Sequence, residues 1–279
     1  MSRLHSSIGA KYFPVRPEPL RMVAGLQPLG HDFGNGVADT RCFQLDGARP
    51  VYLTAKQQVP LARHWCDESQ PQLQAKALDW LGRTMDHEGL AVRHPSSTAS
   101  WSEQWWTYAS QVQEDLVLFQ RGEGLGRAAA LWVCFPSGWR PERLRGASFA
   151  AIHAPVPDFS DPKLARAMTS AMLDRGPQVR FVWTITADTN LDHHPEQGCR
   201  VPFTAHTREV WLRVERQVSV PLRSGDAALF LIRTYLYPFA GLQEAELRTL
   251  AQALEGMPVE IQRYKSLVDA IPVAQRLMS

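Results

Sequence analysis

Two stretches of alternating side chains constrain the fold of this chain more than any other feature. In residues 210–220, Val210, Leu212, Val214, Val218 and Val220 fall on one side of the alternation, and Trp211, Arg213, Glu215 and Gln217 fall on the other. A period of two is the repeat of a β-strand, with one face apolar enough to be core. Residues 227–237 keep the same period and are largely apolar on both faces. We therefore predict two strands, the second one central and covered on both sides.

The order of the remaining elements predicts the fold class. Helical spacing marks residues 72–85, 102–116 and 244–255, together with a helix that starts at Asp161-Pro162 and ends before Gly176-Pro177. Apolar runs predict strands at 128–135, 148–153 and 179–186, and a short one is possible at 51–53. Strands and helices do not alternate regularly, so we predict an α+β fold with a mainly antiparallel sheet. We divide the chain into an irregular and helical region, 1–101, that packs on a domain formed by residues 102–279.

Charge and cysteine content exclude several classes of function. The net charge of +2 is too small for binding to nucleic acid or anionic membranes by field strength. The longest apolar run, 128–135, is far shorter than the ~20 residues of a membrane span, and the N-terminus has no signal-like apolar run. Four scattered cysteines form no CxxC pair, which excludes a zinc ribbon or an iron–sulfur loop. We expect a cytoplasmic protein with reduced thiols.

His153 is the first candidate for chemistry. It ends the predicted strand 148–153 and is followed by Pro155 and Pro157, which restrict the backbone around it. A fixed imidazole suits metal ligation or proton transfer, because both require a lone pair aimed in one direction. A core histidine that is bonded to a backbone carbonyl explains the same pattern, and by base rates it is the commoner case.

The polar face of strand 210–220 supplies the second candidate group. Such a face is ordinarily just solvated. Arg233, however, lies in the strand that we expect to be covered on both sides, and a buried guanidinium requires an anionic partner. Glu215 or a ligand carboxylate could serve. The sequence alone leaves these alternatives open.

Other clusters carry weaker signals. His193-His194 with Cys199 and His206 has the residue types of a metal site, but adjacent histidines in an extended segment point apart, so we interpret it as a surface loop. Nine tryptophans, Trp139 among them, suit a flat cofactor pocket but more often fill a core.

Six blocks in the C-terminal two-thirds of the chain resemble one family. They are VQEDL at 112–116, CFPSGW at 134–139, IHAPV at 152–156, RVERQ at 213–217, IRTY at 232–235 and YKSL at 264–267. In this order they are similar to the haem-binding α subunit of the haem-dependent oxidative N-demethylases. The segment GLQPL at 25–29 also resembles the opening of that family.

The resemblance implies a PAS-like sheet with bound haem b and a set of site residues. His153 matches the family's histidine and would be the axial iron ligand. Glu215 would pair with a protonated alkylamine. Arg213, Arg216 and Arg233 would supply cations for haem propionates or for polarising oxygen. Trp139 and Tyr235 would contact the cofactor.

The resemblance also implies an activity and partners. The activity is O2-dependent oxidative demethylation of a small secondary amine by a haem monooxygenase. The chain has no dinucleotide fingerprint, so electrons from NADPH would come through a separate reductase that carries FMN and a 2Fe–2S cluster. Two alternatives stay open: a non-catalytic haem or small-ligand sensor of PAS type, and an interaction subunit that has lost the cofactor.

Overall fold

The alternating segments form the centre of an antiparallel sheet in the computed structural model, which describes residues 11–17, 25–36, 38–122, 126–157, 162–222 and 226–278. The strands are β1 (Gln27–Pro28), β2 (Trp65–Cys66), β3 (Asp115–Gln120), β4 (Arg127–Trp132), β5 (Gln178–Thr186), β6 (Trp211–Pro221) and β7 (Ala227–Pro238). The helices are α1 (Arg49–Gln57), α2 (Pro71–His87), α3 (Trp101–Ala109), α4 (Phe149–His153), α5 (Pro162–Asp174), α6 (Glu244–Glu255), α7 (Val259–Tyr264) and α8 (Ala270–Met278).

Every strand pairing among the described residues is antiparallel. The order across the sheet is β1-β5-β6-β7-β3-β4-β2, which places β7 in the centre between β6 and β3. The predicted α+β class with a mainly antiparallel sheet is confirmed. The closer comparison with a PAS sheet stays a prediction.

The two faces of the sheet have different coverings. We call the face that carries Arg213, Glu215 and Gln217 the front face, and the face that carries Val214 and Arg216 the back face. Apolar side chains from α1–α3 and from α6–α8 pack on the back face. The front face is covered by α4 and α5, whose apolar residues contact β3, β4 and β7. Arg213 and Arg216 therefore lie on opposite faces of β6, and each contacts a different layer.

Local signals explain where several helices begin. Helix α2 starts at Pro71, the N1 position that proline favours. Ser100 caps α3, and its hydroxyl and the Glu103 carboxylate form a reciprocal capping box. Helix α6 has the predicted bounds. The predicted cap of α5, Asp161, lies outside the described residues.

Three predictions of secondary structure are wrong. Residues 51–53 lie inside α1, where Pro50 starts a helix, and not in a strand. Residues 149–153 form the short helix α4, because the Ser148 hydroxyl accepts a hydrogen bond from the amide of Ala151 at 3.2 Å. Helix α3 ends at Ala109, and Leu116 belongs to β3. The first two errors concern short apolar segments, for which periodicity does not separate helix from strand, and the third concerns the C-terminal end of a helix.

The segment that precedes α2 is held to the back face by buried ion pairs. Asp39 accepts two hydrogen bonds from Arg216, at 2.9 and 2.6 Å, and neither side chain is exposed. Asp46 accepts one from Arg233 at 2.9 Å. Strands β1 and β2, from the same region, add to the two edges of the sheet. The segment thus supplies the carboxylates that pair with the buried arginines of β6 and β7. The predicted division of the chain at residue 101 stays a prediction.

In the described part of the chain, no helix combines the length and the apolar character that a bilayer crossing requires.

We expect Asp39→Ala to lower the free energy of unfolding by about 3–5 kcal/mol, because it leaves the Arg216 guanidinium buried without its carboxylate. Urea denaturation measures this loss. Asp79→Ala is the matched control, since it breaks the exposed pair with Arg83 and should cost at most about 1 kcal/mol. Equal losses in the two variants would contradict the structural role of the buried pair.

Candidate functional site

A cavity of about 660 Å³ lies between the front face of the sheet, helices α4 and α5, and the segment that follows β4. This volume is in the range of small-molecule and cofactor sites. Its wall is mainly apolar, with contributions from Val117, Leu131, Val133, Phe149, Ile152, Met168, Val182 and Phe230. A few charged side chains interrupt that wall. The cavity is therefore the place on the front face where a ligand can be enclosed.

His153 lines this cavity from the last position of α4. Its Nδ1 is 2.8 Å from the carbonyl oxygen of Phe149, one helical turn earlier, and its ring lies against the Phe149 ring at 4.1 Å. Donation from Nδ1–H to that carbonyl leaves the lone pair of the neutral ring on Nε2. Burial lowers the pKa of His153, an effect that the bond to Phe149 opposes and the charge of Arg180 strengthens. The imidazole is thus neutral at pH 7 and held in one orientation.

Glu215 reaches the cavity from the middle of β6. The amide of Gln217, two residues further along the same face, donates to Glu215 Oε2 at 3.1 Å. Its negative charge acts on several neighbours, among them Tyr264, Arg180 and Lys265. Burial raises the pKa of Tyr264, and the charge of Glu215 raises it further. Burial lowers the pKa of Arg180 and of Lys265, and the charge of Glu215 opposes that change. Glu215 is therefore the anionic centre of a cluster of titratable groups.

Arg180 links the two predicted site residues. It lies on the front face of β5 and lines the cavity, and its charge acts on both His153 and Glu215. Its Nε atom is buried without a hydrogen-bond partner among the described residues, as are Thr184 Oγ1 and Ser219 Oγ, which line the same cavity. Buried polar atoms without partners are rare in a folded protein. These three atoms mark a wall that is ready to bind a polar group of a ligand.

Asp115 contributes a second carboxyl group at the start of β3. Burial raises its pKa to about 6, and the charge of Lys56, whose Nζ is 3.9 Å from Asp115 Oδ1, opposes that rise. The amide of Phe135 donates to Asp115 Oδ2 at 2.9 Å. This arrangement ties the segment after β4 to the sheet at the cavity wall.

Arg213 lines the cavity and also holds two loops together. Its guanidinium donates to the carbonyl of Phe135 at 2.9 Å and to that of Leu191 at 3.0 Å. These bonds join the segment after β4 to residues 188–201, where the amide of His193 bonds to Pro136 O and the amide of Gly138 to His193 O. Its predicted catalytic role stays a prediction. Its contacts are those of a residue that shapes the cavity mouth.

Three of the predicted site residues do not line this cavity: Arg216, Arg233 and Tyr235. The structure therefore does not group them with His153, as the resemblance had implied. All three lie on the back face, because they are an odd number of residues away from the front-face positions of β6 and β7. Arg233 pairs with Asp46, so its carboxylate partner is neither of the two that were left open, Glu215 or a ligand carboxylate. The Arg233 guanidinium also lies 4.6 Å from the centre of the Tyr235 ring.

The two adjacent histidines are buried, so their interpretation as a surface loop is wrong. They point apart, as expected: His193 Nε2 is 2.9 Å from Asp188 Oδ1, and His194 Nε2 is 3.2 Å from the Glu142 carboxylate. Each ring therefore donates to a carboxylate. Within the part of the chain that the structure describes, no three His, Cys, Asp or Glu side chains come together as a metal site.

The cavity thus unites four of the predicted residues, His153, Glu215, Arg213 and Trp139. It also contains charged residues that the prediction missed, namely Asp115, Arg140, Arg143, Arg180 and Lys265. A signal for Arg180 was present, because Arg180, Val182 and Thr184 alternate in the predicted strand 179–186. Asp115 lies in the block VQEDL at 112–116, but that segment was assigned to a helix, so no strand alternation placed its side chain.

A family model described as haem-dependent oxidative N-demethylase, alpha subunit-like, matches residues 72–273. The match covers more than two-thirds of the chain and includes β3 to β7, α4 and α5. Every element that carries a charged side chain into the cavity therefore lies within the match.

We expect Arg213→Met to accelerate hydrogen exchange at the amides of His193 and Gly138 by about tenfold or more, since the loops lose the guanidinium that joins them. Mass spectrometry or NMR of the exchanging amides measures the change. Arg180→Met is the control, because Arg180 makes no hydrogen bond to these loops. Unchanged exchange in Arg213→Met would refute the role of Arg213 in holding the loops.

Proposed function

This chain belongs to the haem-dependent oxidative N-demethylase, alpha subunit-like family, and we propose that it is the haem-binding subunit of an O2-dependent oxidative N-demethylase. The observation that carries the proposal is a single cavity with a neutral, oriented His153 and an anionic Glu215 in its wall. The reaction class is the conversion of an N-methyl amine, O2, two electrons and two protons to the demethylated amine, formaldehyde and water.

The residues in the wall suit a haem b in three respects. His153 has the hydrogen bond from Nδ1 to a backbone carbonyl that histidine ligands of metals usually have. The apolar side chains around it suit the porphyrin ring. Arg143 and Arg180 line the cavity and have no carboxylate of the described residues within 4 Å, so propionate groups could neutralise them. His153 would hold the iron through Nε2, and Trp139 would contact the ring.

Bound haem would supply the iron at which O2 is bound and reduced. The chain's own contribution is to bind and orient the amine. The carboxylate of Glu215 would accept a charge-assisted hydrogen bond from the protonated amine, and the Gln217 amide that donates to Oε2 limits the orientations of that carboxylate. Apolar residues around the pair exclude water, which strengthens the ionic contact. A fixed amine position keeps the N-methyl group close to the site of oxidation.

The side chains beside Glu215 would hold a proton or polarise oxygen. Arg180 and Tyr264 lie within electrostatic reach of Glu215, and the Tyr264 hydroxyl keeps its proton because burial raises its pKa. Arg213 has an Nε atom in the same region with no partner among the described residues. Arg213 is therefore the cation that would polarise oxygen in this proposal.

Electrons would come from outside this chain. An alpha subunit-like family suggests a multi-subunit complex. We propose a reductase partner that carries FMN and a 2Fe–2S cluster and draws electrons from NADPH in the cytoplasm.

We expect His153→Ala to remove or strongly shift the Soret band that the wild-type chain acquires when it is expressed with haem supplied, because the axial ligand is lost. Absorption spectra of the oxidised and reduced forms measure this. His206→Ala is the matched control, since His206 is exposed and outside the cavity. A wild-type chain without any Soret band would refute haem binding altogether.

We expect Glu215→Gln to weaken the binding of a small N-methylated secondary amine by about tenfold to a hundredfold, because a hydrogen bond to a charged group is worth about 1.5–3 kcal/mol. Spectral titration of the haem-loaded protein measures the affinity. Glu260→Gln, an exposed substitution on α7, is the control. Unchanged affinity would contradict the role of Glu215.

Turnover separates the enzyme from the ligand sensor. O2 consumption with formaldehyde release, in the presence of the amine and a reductase, supports the demethylase. Spectral shifts without turnover would support a sensor.

A further inference from the structure

Lys265 lies in the cavity wall. Neither the binding of the amine nor the packing of the loops assigns it a role. It follows α7 directly, and the backbone turns sharply after it, because Ser266 has a positive φ of 55°. Leu267, fully buried, anchors the far side of this turn. The Lys265 Nζ then donates to the carbonyl of Trp183 in β5 at 2.6 Å, and it lies 5.9 Å from the centre of the Trp183 ring. The side chain is thus held in a fixed position at the cavity.

The surroundings of Lys265 stabilise an ammonium ion less than water does. Among the described residues, no carboxylate lies within 4 Å of Nζ. Burial lowers the pKa of Lys265 to about 8, Glu215 opposes this shift, and Arg180 adds to it. The other near groups are neutral: the Trp183 carbonyl, which accepts a bond from an amine as well as from an ammonium, and the Tyr264 phenol. About a tenth of Lys265 is a neutral amine at pH 7, against roughly 0.04% of an ordinary lysine.

The other lysines differ in place and pairing. The chain has five lysines. Lys56 is fully buried between the carbonyls of Ala109 and Glu114, and Lys11 pairs with Glu246. Lys76 and Lys163 are exposed. Within the described ranges, Lys265 is the lysine that lines the cavity.

We propose that Lys265 is a nucleophile that adds reversibly to a small aldehyde inside the cavity. The Nζ lone pair attacks the carbonyl carbon, the carbonyl π electrons move to oxygen, and a proton passes from nitrogen to oxygen to give a carbinolamine. Protonation of the carbinolamine hydroxyl by solvent and loss of water give an iminium ion, and addition of water with release of that proton reverses both steps. No electrons are exchanged with an external reagent. The proposal rests on the proposed function for its aldehyde, formaldehyde, which demethylation would release beside Lys265.

Such an adduct would keep a reactive product in the cavity. Formaldehyde that is bound as a carbinolamine or iminium cannot modify other nucleophiles until hydrolysis releases it. The step uses a neutral lysine amine, which is the usual nucleophile for Schiff bases with carbonyl compounds. Glu215 lies close enough to stabilise the positive charge of the iminium ion.

Reductive methylation of the full chain tests the proposal without haem, amine or O2. Formaldehyde at low concentration with cyanoborohydride converts each iminium ion to a stable methylamine, which peptide mass spectrometry locates. At pH 7 we expect Lys265 to be methylated about tenfold or more faster than Lys76, because its neutral fraction is larger. With rising pH, the Lys265 rate should level off above about pH 8, whereas the Lys76 rate should continue to increase.

Two variants serve as controls. Lys265→Arg retains the positive charge and a donor for the Trp183 carbonyl, and it should abolish only the fast labelling, whereas Lys76→Arg should leave it intact. If Lys265→Arg does not fold, the pH dependence of the Lys265 methylation rate in the wild-type chain tests the proposal by itself. Methylation of Lys265 no faster than that of Lys76 at pH 7 would overturn the proposal. A missing Soret band would refute the demethylase and leave the labelling result unaffected.

Discussion

A buried guanidinium is stable only when an anion or several carbonyl groups bind it. The organisation of this protein depends on which partners the arginines of its central strands obtain. On the back face the partners come from the chain itself: Asp39 pairs with Arg216 and Asp46 with Arg233. These pairs bring a distant N-terminal segment against the sheet and close that face. The helices that pack beside them complete the core on that face.

On the front face, Arg180 and Arg213 do not obtain carboxylate partners from the described part of the chain. Arg213 is bonded to backbone carbonyls, but Arg180 has no carboxylate within 4 Å among the described residues, and its Nε lacks any hydrogen-bond partner there. Apolar residues of α4 and α5 cover the face without filling it, which leaves a cavity of about 660 Å³. Because this cavity contains unpartnered polar groups beside an apolar wall, it suits a ligand with an apolar ring and acidic substituents.

The sequence predicted the long elements better than the short ones. Strands β5, β6 and β7 and helix α6 lie where the periodicity placed them, because many residues repeat the same pattern and core burial enforces it. The segment that ends at His153 was assigned to a strand, although it is a helix of five residues that Ser148 caps. One hydrogen bond decides between the two conformations over such a length. The error did not affect the choice of His153, since a restricted imidazole results in either case.

Alternation along β6 was enough to place Arg213 and Glu215 on one face, because every second side chain of a strand points to the same side. The sequence by itself therefore determined the sheet, the content of its two faces and, through six blocks, the family. Only the tertiary structure decided which face holds the cavity. Arg216 and Asp39 are 177 residues apart, and nothing local to either one indicates their pairing. Partner choice for a buried charge depends on which segments fold against each other, so the assignment of Arg216 and Arg233 away from the site required the folded chain.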